Sequence, residues 1–175
     1  NLYCLKWKLN VNIKKTKILV FENKKSLAPL FLIGNRVISR VDQYKYLGIN
    51  FYYTGNFNIA QSELRLKALK ALFGIHGKVN FSQLNPSQSK KLFMAMVKPV
   101  LTYGSEVWGY ELSKIIEGNL KKLDLIPCEK ILNKFCKICL GVNRKSINCA
   151  VRKELAIIPI SIDIFHNMLK YEDRL

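Results

Sequence analysis

Residues Leu9 to Phe21 read L-N-V-N-I-K-K-T-K-I-L-V-F and join two kinds of chain. Ahead of them, Leu2, Leu5 and Leu9 recur at spacings of three and four, with Lys6 and Lys8 off that face. This is the pattern of the last turns of an amphipathic helix. Asn10 and Asn12 are weak helix formers, because their short polar side chains compete for nearby backbone groups. Ile18 to Phe21 are large, apolar and partly β-branched, so a buried strand is expected there. Lys14, Lys15 and Lys17 sit where that strand begins. Clustered positive charge beside a buried strand is placed to receive phosphate; a solvated turn ahead of a strand is the plain alternative.

Outward from this stretch the chain continues with sheet signals. Glu22 to Ser26 is polar and reads as a loop, and Pro29 prevents its continuation as helix. Phe31-Leu32-Ile33 and Arg36-Val37-Ile38 flank Gly34-Asn35, a pair that tolerates the positive φ of a two-residue hairpin turn. Tyr44 to Tyr53 is aromatic and β-branched, with Gly48 expected as a bulge or a point of close backbone approach. Residues 18–53 therefore predict a small, mostly antiparallel sheet.

The pattern changes at Thr54-Gly55-Asn56, which divides the chain into residues 1–55 and a helical region, residues 56–175. Ala60, Leu64, Ala68, Ala71, Leu72 and Ile75 recur at helical spacing, with Arg65, Lys67 and Lys70 mainly off that face. Gly74 and Gly77 are expected to weaken or end this helix. Pro86-Ser87 opens a second helix with an apolar stripe of Leu92, Phe93, Met96, Val97, Val100 and Leu101, and with Lys90, Lys91 and Lys98 outside it. Leu92, Phe93, Met96 and Val100 are expected to pack against the first stripe. Pro99 removes a backbone donor and predicts a kink or stop. Ile131, Leu132, Phe135, Cys136 and Cys139 form a further stripe, while Lys130, Lys134 and Lys137 share another face. Gly141 is a plausible C-cap, and two shorter helices are predicted near Ser146–Leu155 and Ser161–Leu169, parted by Pro159. The fold class is α+β.

Composition bounds the function. An apolar content of 49% suits folded chain. A net charge of +17, spread over the whole length, favours a polyanionic partner, nucleic acid or an anionic membrane. No run is long and apolar enough to span a membrane. Five cysteines, an odd number, with no secretory segment, point to free thiols in a reducing, intracellular compartment, nucleus or cytoplasm. The first residue is Asn, which reads as a fragment of a longer protein. Cys136 and Cys139 have a zinc-like spacing but fall on an apolar helical face, so no metal is assigned. His76 and His166 have no triad partners nearby in sequence and receive no catalytic role. Tyr103, Trp108 and Tyr110 are placed in the core ahead of stacking on bases.

Several segments carry a family resemblance. Asn12-Ile13-Lys14-Lys15-Thr16-Lys17, preceded by Trp7-Lys8-Leu9, resembles the N-x-x-K-T-K segment of reverse transcriptases from non-LTR (LINE-type) retrotransposons. Tyr44-Lys45-Tyr46-Leu47-Gly48 is similar to their F/Y-K-Y-L-G primer-grip segment. Val100 to Gly109, V-L-T-Y-G-S-E-V-W-G, resembles a segment of the region beyond the palm, and Phe135–Val142 with Val151–Pro159 resembles the pattern that closes it. The order and spacing agree over nearly the whole chain.

The resemblance implies the end of a palm followed by a thumb-like helical region of an RNA-directed DNA polymerase. Lys15 or Lys17 would then face the nucleotide phosphates, and Tyr44 to Gly48 would hold the primer terminus. Arg65, Lys67, Lys70, Lys90, Lys91, Lys98, Lys130, Lys134 and Lys137 would be candidates for contact with the template–primer duplex of RNA and DNA. Another implied partner is the missing palm and fingers of the same polypeptide; no membrane partner is implied. The chain departs from the family at the chemistry. Two-metal nucleotide transfer needs paired carboxylates, and Asp42, Asp124, Asp163 and Asp173 are isolated from one another. Magnesium is expected for an intact parent enzyme, and no catalytic residue, metal or cofactor is assigned to this stretch. The alternatives are a non-enzymatic nucleic-acid-binding remnant and a plain structural helical domain.

Overall fold

The computed structural model describes residues 2–22, 30–112 and 120–174, without the side chains of Leu2, Leu5, Leu120 and Lys121. The chain forms two compact units, Asn1–Ala60 and Gln61–Leu175. The apolar roles expected of Leu2 and Leu5, the loop expected over Glu22–Ser26 apart from Glu22 itself, and Pro29 lie outside the described residues.

The first unit opens with α1, Leu2–Lys6. Lys8 adopts a φ of 51°, and Leu9 donates back to the Cys4 carbonyl at 2.8 Å, which ends the helix. Leu9 is exposed, so it does not extend a buried stripe. Asn12 then organises the lysine segment: its carbonyl accepts from the backbone N–H groups of Lys15 (3.1 Å) and Thr16 (2.9 Å), and from the Thr16 hydroxyl at 2.9 Å. Thr16 thereby orders backbone.

Ile18 to Phe21 is not a strand. Ile18 makes one isolated parallel bridge, with Arg40, through bonds from Ile18 to the Ser39 carbonyl and from Val41 to the Ile18 carbonyl. Leu19 and Val20 do not continue the ladder, and Glu22 instead donates to the Tyr53 carbonyl at 2.9 Å. Strand propensity reports packing against a neighbouring strand, and here that neighbour runs alongside for one residue only.

Two separate hairpins take the place of a single sheet. In the first, β1 (Leu32–Ile33) pairs with β2 (Arg36–Val37) around Gly34, whose φ is 60°. In the second, β3 (Gln43–Tyr46) pairs with β4 (Ile49–Tyr52) in the register Tyr44↔Phe51 and Tyr46↔Ile49. Gly48 is therefore a turn residue and not a bulge. Leu47 and Gly48 have φ of 47° and 87°, the two positive values of a type I′ turn.

The helix α2, Asn58–Lys78, leads into the second unit and runs unbroken through Gly74 and Gly77. Leu64, Ala68, Leu72 and Ile75 are buried along it, and burial of that face outweighs the weak propensity of two glycines. Next, α3 (Pro86–Met96) starts at Asn85, whose Oδ1 accepts from the Ser87 N–H at 2.9 Å. The break ahead of Pro99 falls at Val97, before α4 (Lys98–Leu101). The buried row is Phe93, Val97 and Leu101. Met96 is 53% exposed, and Leu92 and Val100 are half-buried, so the expected stripe is narrower than its six residues. After α5 (Ser105–Trp108), Trp108 is buried and its indole N–H donates to the Tyr103 carbonyl at 2.9 Å, whereas Tyr103 and Tyr110 are exposed and not core. A Cβ on Gly109 would meet the Ser105 carbonyl oxygen at 2.5 Å and Ile164 at 3.0 Å, so only glycine allows that approach.

A 3-10 turn, Leu120–Leu125, leads into α6 (Pro127–Cys139), followed by α7 (Asn148–Glu154) and α8 (Ile160–Glu172). The core of this unit gathers on α6. Phe135 stacks on Phe93 with centroids 4.3 Å apart and meets Phe81 edge-on at 5.4 Å. Ile131, Leu132, Cys136 and Cys139 are buried around it. Burial pushes the Cys136 thiol up to about 12, so it is an inert apolar filler.

A polar network binds α6 to its neighbours. Arg152 Nη1 donates to Asp124 Oδ1 and Asn133 Oδ1, each at 2.7 Å. Glu129 is fully buried, and its Oε1 accepts from the Ser161 N–H at 2.8 Å, which caps the start of α8. Burial raises the Glu129 carboxyl above its ordinary value, against the lowering pull of the Ser161 bond.

Two outcomes are expected. Phe93→Ala removes one ring of the stack and should cost about 3–5 kcal/mol, about 10 °C in Tm for a chain of this size. Exposed Lys91→Ala should move Tm little, and equal Tm for Phe93→Ala and the parent refutes the assigned core. Glu129 holds its proton more tightly folded than unfolded, so its contribution is intact below the ordinary value of 4.5 and is lost as pH rises through the folded pKa. Glu129→Gln keeps the acceptor for Ser161 without this loss. Its stability relative to the parent in urea unfolding should be greater at about pH 8 than at about pH 5; a pH-independent difference contradicts the assignment.

Candidate functional site

The second unit carries a groove of about 630 Å³ where α2, α6 and residues 141–148 converge. Its shape follows from the end of α6. Gly141, at φ 62°, donates to the Ile138 carbonyl and Val142 donates to the Lys137 carbonyl, each at 3.1 Å. This pair of bonds is a Schellman stop, which reverses the chain and brings Val142 and Arg144 back beside the helix. Lys137 fastens the return, its Nζ donating to the Arg144 carbonyl at 2.8 Å.

Lys130, Lys134 and Lys137 line this groove together because residues three and four apart share a helix face. Their row lies beside, not on, the buried row of Ile131, Phe135 and Cys136. Phe73, Ile138 and Val142 supply an apolar surface within the same groove, and the Lys134 ammonium lies 4.4 Å from the Phe73 ring centroid. His76 also lines it; its ring is engaged, stacking on Phe81 and accepting from the Phe81 N–H at 3.4 Å.

Asp124 is the acidic residue lining the groove, and its charge is matched. Burial would raise its carboxyl, but hydrogen bonds from Arg152, Asn148 and Asn133 and the Arg152 charge outweigh that and hold it below the ordinary value. The remaining field is positive, from three lysines and Arg144. Phosphate is the natural complement of such a cluster.

Within the second unit, the other sequence-derived candidates are not among the residues that line this groove. Lys90 Nζ donates to the Leu155 and Ala156 carbonyls, at 3.3 and 2.6 Å, and so caps the end of α7. Lys98 pairs with Asp163 at 2.9 Å. Both are occupied by internal bonds. Arg65, Lys67 and Lys70 are exposed on α2, and Lys91 on α3. In the first unit, Lys15 is exposed, and Lys17 Nζ donates to the Ser39 hydroxyl at 2.7 Å. Tyr44, Lys45, Tyr46 and Leu47 are exposed on the β3–β4 hairpin, with Gly48 half-buried.

Phe73, Arg144 and Asn148 belong to the groove but are not legible as site residues in the sequence. Phe73 lies on a different helix from the lysines, and Arg144 reaches them only through the reversal at Gly141. Among the described residues no group of three or more His, Cys, Asp or Glu is placed to hold a metal ion. Asp124 is paired with Arg152, and Asp163 with Lys98. No helix among the described residues is long and apolar enough to cross a membrane.

No family model, no curated protein and no solved structure matches the chain.

Proposed function

We propose that this chain is the later part of a retrotransposon reverse transcriptase, the end of a palm followed by a thumb-like region, and that its helical unit holds a nucleic-acid duplex by the phosphate backbone. The observation that carries duplex binding is the convergence of Lys130, Lys134, Lys137 and Arg144 around one groove whose acid is already paired. The segments that resemble the family, Asn12–Lys17, Tyr44–Gly48 and Val100–Gly109, supply the polymerase context.

The chemistry divides between the units. Lysines and arginines on helices bind phosphates without a base code, which suits a thumb that must slide along any sequence. In the first unit, Asn12 holds the backbone of the lysine turn, leaving the Lys15 side chain exposed to meet a nucleotide's phosphates as a point charge. The β3–β4 hairpin presents Tyr44 and Tyr46 to a primer end. Bond formation itself belongs to carboxylates elsewhere in the parent polypeptide, and the chain by itself adds no nucleotides.

Fluorescence anisotropy with duplex DNA at several salt concentrations tests the binding. Four to five phosphate contacts, each giving about 0.9, predict a slope of log affinity against log salt of about −4. Replacing Lys130, Lys134 and Lys137 together by Gln should flatten that slope by about 2–3 units and weaken every sequence about equally. Salt-independent binding, or binding to anionic liposomes but not to duplex, overturns the reading. Primer extension with magnesium or manganese should give no product above a no-protein control; template-dependent extension would refute the division of labour.

A further inference from the structure

The groove has more than a duplex backbone needs. Phosphate contact alone calls for exposed cations on an open face. Here the cations rim a concavity with an apolar surface of Phe73, Ile138 and Val142. A space of about 630 Å³ lies in the range of small-ligand sites, and a duplex, whose phosphates run along its outside, meets only the rim. Phe73 is 43% exposed, an aromatic ring on the surface of a helix whose other large apolar residues include the buried Leu72 and Ile75.

Asn148 adds a polar requirement. Its side chain lies beside the Asp124 carboxylate and helps to hold that acid low, so the amide N–H side faces the acid. The Oδ1 left over is buried and has no hydrogen-bond partner among the described residues. A buried acceptor in that state calls for a donor.

We infer that this groove takes one unpaired nucleotide next to a duplex, with its base on Phe73, its exocyclic amino group toward Asn148 Oδ1, and its phosphate among Lys130, Lys134, Lys137 and Arg144. This rests on the duplex-binding reading and refines it. A base stacking on Phe73 displaces the Lys134 ammonium, which then meets the phosphate of the same nucleotide. Adenine, cytosine and guanine offer Asn148 Oδ1 an amino donor, whereas uracil and thymine offer only the ring N3–H. A pyrophosphate or phosphate ion alone would leave the aromatic surface and the Asn148 acceptor unused.

The test compares anisotropy titrations of four duplexes with the intact chain: blunt, and with a single-stranded overhang of adenine, of uracil or of abasic residues. The adenine overhang should bind about 5-fold or more tighter than the blunt duplex, uracil less, and the abasic overhang close to blunt. Phe73→Ala should bring the adenine-to-blunt ratio near one at unchanged Tm, and Phe73→Trp should keep the ratio. If blunt duplex binds with the expected salt slope but the overhangs add nothing, this inference fails and the duplex reading stands. If no duplex binds, both fail. Displacement of the adenine overhang by an acidic peptide as effectively as by single-stranded adenine oligonucleotide would also overturn it, since charge alone would then explain the site.

Discussion

The helical unit depends on the stack of Phe135 on Phe93. It fixes the rotation of α6 about its own axis, and everything else on that helix follows from the rotation. With Phe135 inward, Ile131, Leu132, Cys136 and Cys139 are inward as well, and Glu129 is carried into the core. The row Lys130, Lys134 and Lys137 is then left lining the groove. Core packing and the placement of charge are thus two consequences of one helical period. An aromatic pair adds about 0.5–1.5 kcal/mol beyond the area it buries, and its directional preference makes it a better guide to rotation than aliphatic contact alone.

The polar network serves the same arrangement from the other side. A buried glutamate is costly unless something is gained, and Glu129 gains the cap of α8. Arg152 on α7 answers Asp124 in the segment before α6 and Asn133 on α6 itself. The same pairing offsets the Asp124 charge beside the groove. Without it, the three lysines would face a free carboxylate and the attraction for phosphate would weaken. Stability of the helices and the positive field of the groove are coupled at this one arginine.

The parts of the fold that local chemistry decides were legible in the sequence. Gly34-Asn35 turns the first hairpin, Pro86 opens α3, and Gly141 stops α6. The parts that failed depend on distant partners. Ile18 to Phe21 has strand composition but only one residue of ladder to join. Gly74 and Gly77 look like helix stops, yet the buried face of α2 carries the helix past both. A bulge or close approach at Gly48 suits the composition, but the turn also places Leu47 at positive φ, which a leucine gives no sign of. For the groove, the lysine row was visible as a spacing, whereas Phe73 and Arg144 were not, since tertiary packing and a chain reversal bring them there. Periodicity likewise could not separate Met96 from Val97, adjacent residues that straddle the edge of the apolar face.

If one face of α6, and not the general basicity of the chain, meets nucleic acid, protection by a duplex is confined to that face. Amine-reactive labelling read by mass spectrometry, with and without a duplex, measures this lysine by lysine. Lys130, Lys134 and Lys137 should lose reactivity together when duplex is present, while exposed Lys91 on α3 keeps its reactivity. Protection spread evenly over all the lysines, or protection of Lys91 with none at Lys134, would contradict the account.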